Sequence, residues 1–156
     1  MTLAINHVQL IIDHFIDKFE ALQTGVEGVD HHYNLVTVCD DLKLVEEVDP
    51  SKCPWVAVLD SDGTGVPQLS NSEQDTLDVI VLVYAKPDKD RFPGQSAPKL
   101  LRAVRCDLEA AFYTDVSCGG RVFKHSITRE VDHDKQGRYS MAALTFSLSY
   151  NVKRTA

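Results

Sequence analysis

The chain has 156 residues, 44% of them hydrophobic and 25% charged, with a formal net charge of −7 and a pI of about 5.2. This is the composition of one soluble globular domain with a single core, and it excludes a disordered tail. An acidic chain without a basic cluster is a poor candidate for gripping nucleic acid, because few cations are available to neutralise phosphates.

The first element reads as a helix. Val8, Ile11, Ile12, Phe15, Phe19 and Leu22 recur at three- and four-residue spacing, while Asp13, Asp17, Lys18 and Glu20 stay polar. The pattern predicts a helix over 3–23, with Thr2 as N-cap and Gly25 and Gly28 closing it. Leu35 to Cys39 is short and β-branched, hence a strand, and Asp40-Asp41 interrupts it. Leu42 to Val48 reads equally as strand or helix. Pro50 and Pro54 bracket a turn, and Trp55 to Leu59 is a continuous apolar run that suits a buried strand. Asp60 to Ser72, rich in Asp, Gly, Ser and Asn, reads as a mobile loop.

Leu77 to Tyr84 is apolar on both faces, as a central covered strand would be. Lys86 to Ala97 is a second polar loop. Ser96 caps the next helix and Pro98 falls in its first turn, where a missing N–H costs nothing. Leu100, Leu101, Val104, Leu108, Ala111 and Phe112 form its buried stripe, which predicts a helix over 97–113. Cys118-Gly119-Gly120 breaks the chain, and a hairpin over 121–151 follows, with its turn at Asp132 to Gly137. Its last strand alternates: Ala142, Leu144, Phe146, Leu148 and Tyr150 on one face, Ala143, Thr145, Ser147 and Ser149 on the other. The sum is one α+β domain: a mixed, mostly antiparallel sheet of roughly four to five strands with two main helices packed on one face.

No motif of catalysis stands on this scaffold. There is no G-x-S-x-G, H-E-x-x-H, P-loop or dinucleotide fingerprint. Cys39, Cys53, Cys106 and Cys118 form no C-x-x-C pair, so zinc-ribbon and thioredoxin-like readings have no support and the thiols read as free and structural in a reducing cytoplasm. The start carries neither the basic nor the apolar region of a secretory signal, and no apolar run is long enough to span a bilayer. Asp60 to Gly65 opens like a calcium loop but places Asn71 where the bidentate Glu belongs, and reads as a turn after a strand. His31-His32 with Cys39 and Asp40 invites a transition-metal reading, but adjacent histidines on extended chain point opposite ways. His7 and His14 are two turns apart and read as surface histidines. Cys118 with His125 and His133, beside Asp132 and Asp134, is the one arrangement that could make a nucleophile–base pair. No catalytic, cofactor or metal residue is assigned. The candidate contact residues are Asp88, Lys89, Asp90, Arg91 and Phe92, an aromatic set among charges in a loop, together with Asp62 and Thr64.

The layout resembles the tail terminator and tail-completion (neck) proteins of long-tailed bacteriophages. The resemblance covers most of the chain. It rests on the amphipathic first helix, Pro54-Trp55-Val56-Ala57-Val58, the loop into Leu77 to Tyr84, the run Leu100 to Ala111, and the terminal strand ending Leu148-Ser149-Tyr150. It implies a structural virion protein rather than an enzyme, assembled in the host cytoplasm and located in the tail or neck. It further implies a self-associating ring, usually a hexamer, that caps the head-proximal end of the tail tube and offers a surface to the head connector or stopper protein. Genomic DNA would slide through without specific binding, which the acidic balance suits. The competing expectations are a head-completion or stopper protein of the same neck, or a small α+β enzyme or ligand-binding domain.

Overall fold

A computed structural model describes residues 5–61 and 74–151. The first helix, α1, spans His7–Glu20 and continues as a 3-10 turn over Ala21–Gln23. It starts later than the 3–23 reading. Asn6, not Thr2, is the cap: its side chain accepts from Gln9 N at 3.0 Å and satisfies an orphan N–H of the first turn. Thr2 itself lies outside the described residues. The helical run ends when Thr24 turns extended (φ −129°, ψ 169°), one residue before Gly25.

Five strands follow: β1 Thr37–Cys39, β2 Trp55–Asp60, β3 Gln74–Ala85, β4 Val122–His133 and β5 Ser140–Asn151. They form one sheet in the order β1-β2-β3-β5-β4. β1 runs parallel to β2, and every other pairing is antiparallel. The fold is therefore α+β with a mixed, mostly antiparallel sheet. The second helix, α2, spans Ala97–Tyr113, with Ser96 Oγ accepting from Lys99 N and Pro98 in the first turn, as its sequence predicts. The segment 42–48 is neither regular strand nor α-helix: Asp41 to Leu44 is irregular and Val45–Glu47 forms a 3-10 turn.

Both helices bury their stripes on one face of the sheet. α1 packs over β1 and β2, and α2 over β3 and β5. The alternation of β5 decides which side is which: Ala142, Leu144, Phe146, Leu148 and Tyr150 all turn into the helix-side core. Phe146 meets the rings of Phe15 and Phe112 there, at 5.1 and 4.7 Å between centroids.

The opposite face has a smaller core of its own. Val45, Val48 and Cys53 cover Trp55, Ala57 and Tyr84, and the Trp55 and Tyr84 rings stack at 4.7 Å with 11° between planes. Two hydrogen bonds tie this cover down: Tyr84 Oη donates to the Lys43 carbonyl, and the buried Lys86 Nζ donates to that of Val48. The ambiguous segment is irregular because its task is to lid one end of the far face, with Val45 and Val48 as the pegs.

Candidate assembly interface

The nucleophile and base candidates Cys118, His125 and His133 each have their own surroundings. Cys118 is fully buried in the helix-side core, and desolvation pushes its thiol up to about 11, with Asp115 acting in the same direction. It makes a poor nucleophile. His125 lies in an aromatic corner, 5.4 Å from the Phe112 ring and 5.9 Å from that of Tyr113. His133 Nδ1 is 2.7 Å from Ser140 Oγ, a hydroxyl with 0% exposure that no substrate can reach. The structure does not bring Cys118, His125 and His133 into one hydrogen-bonded set.

The metal-like histidines are tied elsewhere. His31 is buried with Nε2 against Asn34 Oδ1. His32 Nδ1 sits 2.7 Å from Asp107 Oδ1, and the backbone N–H groups of His32 and Tyr33 also donate to that carboxylate at 2.9 and 3.3 Å. Asp107, buried in mid-α2, thus pins the loop that leads into β1, a role its sequence position gave no sign of. His7 and His14 are half-buried rather than surface residues: His7 faces the Tyr150 ring at 5.9 Å, and His14 Nε2 lies 3.8 Å from Asp115 Oδ2. Among the described residues no group of three or more His, Cys, Asp or Glu is placed to hold a metal. All four cysteines are free. No helix among the described residues is long and apolar enough to cross a membrane.

The loop of Asp88 to Phe92 corrects an expectation. Phe92 is not an exposed contact residue: it is 4% exposed, edge-on to Tyr33 at 5.3 Å. The Arg91 guanidinium stands over the Phe92 ring at 4.8 Å and donates to the carbonyls of Cys53, at 2.7 Å, and Pro50, at 3.3 Å. Asp88 is half-buried and accepts from Asp90 N at 3.0 Å, while Lys89 and Asp90 are exposed. The aromatic among charges is an anchor that seals the loop onto the domain. Asp62 and Thr64 lie outside the described residues.

Exposed apolar side chains stand in the loops around β1, at Val26, Val29, Leu42 and Leu44, and the longest unpaired strand edge among the described residues is that of β4. β4 is 12 residues long, about 40 Å of extended chain, and pairs only with β5 among the described residues. Its other side is a long edge of main-chain groups. Unlike β5, it buries only one residue, Val122. Phe123 (51% exposed), Val131 (41%) and the adjacent Tyr113 on α2 (56%) put apolar surface on this edge. Natural edge strands of this length are normally blunted, covered or paired, and β4 carries two such blunting features, exposed charges at Lys124, Arg129, Glu130 and Asp132 and a bulge between Val122 and Lys124. No protein-family model matches the chain, and no curated protein matches it.

Proposed function

We propose that this chain is a structural assembly protein that works as phage tail terminators do: a ring at the head-proximal end of the tail tube that stops tube growth and receives the head connector. One observation carries the reading, the long, incompletely covered edge strand β4 on a domain whose nucleophile and base candidates are buried or engaged. Such an edge accepts a neighbour by strand addition, and heterologous contacts between identical copies close into rings. The resemblance in element order and the acidic balance of the chain point the same way.

The test is electron microscopy of lysates from the parent phage lacking this chain. Overlong or headless tails are expected. Normal tails beside leaking heads would assign the protein to the head side of the neck as a completion or stopper component. Intact infectious particles, or the absence of a phage parent, would overturn the reading.

A further inference from the structure

The two ends of the sheet differ in charge and in cover. At the β1 end, α1 turns Gln9, Leu10, Asp13, Asp17 and Glu20 outward, all exposed, at the spacing of one helical face. The loops flanking β1 add exposed Glu27, Asp30, Asp40 and Asp41. At the β4 end the acids Glu130 and Asp132 lie on the face away from the helices, and the helix side is basic. α2 packs over β3 and β5, so the helix-side row of β4 extends beyond it: Arg129, Val131 and His133 are exposed. The flank of α2 facing this row carries Arg102, Arg105, Glu109 and Tyr113, and Glu109 accepts from Arg129 Nε at 2.7 Å. Together they make a shelf with Ile127, Val131 and Tyr113 as apolar floor and three arginines around it. The Arg105 Nε is buried without a hydrogen-bond partner among the described residues, and Glu109 alone cannot balance three guanidiniums.

We propose that the shelf between α2 and β4 seats the acidic outer face of α1 from a second copy of this chain. The inference rests on the self-associating reading above and assigns its faces. Complementarity selects the occupant: the domain with the basic shelf carries, at its opposite end, an exposed carboxylate stripe with a leucine in it, which suits an arginine-rimmed apolar floor. Donor and acceptor faces are different surfaces at opposite ends of one sheet, so the contact is heterologous and propagates until a ring closes. A nucleic acid strand is the competing occupant of three arginines. The net charge of −7 opposes it.

The experiment is sedimentation velocity of the full chain over a concentration series, in low and high salt. The wild type is expected to associate beyond a dimer, less so at high salt. Arg102→Glu with Arg105→Glu should weaken association by about tenfold or more, since like charges then face each other. Asp13→Lys with Asp17→Lys should do the same, and the four changes together should restore it. Unchanged melting temperatures in each variant separate a lost contact from a lost fold. A monomeric wild type, swaps that leave association untouched, or a fourfold variant that fails to recover would each overturn the assignment. So would duplex or single-stranded DNA that binds the wild type and is lost with the arginine pair alone. The result is independent of the lysate phenotype. Restored association with normal tails would keep the contact and remove the terminator role. Overlong tails with inert swaps would keep the role and move the contact elsewhere.

Discussion

Asp107 is the residue on which two distant parts of the chain agree. Its carboxylate accepts two backbone N–H groups and faces the His32 ring from 75 residues away, with 4% of the residue exposed. Asp107→Ala would leave the two amide donors of the 32–33 loop without their acceptor, and is expected to destabilise by about 1–3 kcal/mol, read as a lower urea midpoint with unchanged slope. No local pattern announces such a contact: in the sequence Asp107 is one more polar residue of a helix. The same blindness misplaced Phe92. Charged neighbours argue for exposure, but the ring's partner, Tyr33, comes from another loop. The thiols offer a second residue-scale prediction. Burial raises both Cys53 and Cys118 to about 11, whereas Cys106 is exposed. At mildly alkaline pH a maleimide should label Cys106 first and reach Cys53 and Cys118 only in denaturant, as intact-mass spectrometry would show. The sign of the linked stability follows. The unfolded thiols ionise near 9 and the folded ones near 11, so their contribution is complete below pH 9 and is lost between about 9 and 11. Replacing both with Ala should flatten that part of the stability–pH curve.

At the scale of elements, legibility follows how local the cause is. α2 was readable to the residue because its cap, its first-turn proline and its apolar stripe all lie inside its own segment. β5 was readable because alternation survives when one face is buried and the other is not. α1 begins at His7 with Asn6 as its cap, where the sequence offers both a threonine and an asparagine as good caps and only the folded backbone chooses between them. Asp41 to Leu44 and the turn after it have no readable period because their conformation is imposed by Trp55 and Tyr84 beneath. This cover gives an element-scale prediction. Tyr84→Phe removes the bond to the Lys43 carbonyl and should cost about 0.5–1.5 kcal/mol. Trp55 is the chain's only tryptophan, so its emission should report loosening of the cover ahead of global unfolding seen by circular dichroism. Phe146→Ala acts on the other face. It empties the space between Phe15 and Phe112 and should cost about 3–5 kcal/mol in chemical denaturation, with both probes moving together.

For the whole molecule, the α+β class and the placement of both helices on one side were legible from element order, whereas the open shelf was not. Which strand ends at an edge depends on the order β1-β2-β3-β5-β4, and a hairpin reads the same whether its first or its second strand is inserted against β3. That insertion has a consequence during synthesis. β3 pairs along its full length with β5, from Gln74 opposite Asn151 to Ala85 opposite Ser140. A ribosome emitting this chain delivers α1, β2, β3 and α2 long before the strand that completes their sheet. Until residues 140–151 leave the exit tunnel, the apolar edge of β3 has no cognate partner and is exposed to any other strand nearby. Nascent chains arrested before Ser140 should therefore be protease-sensitive and bound by chaperones, and those arrested with Asn151 clear of the tunnel should become resistant in a single step.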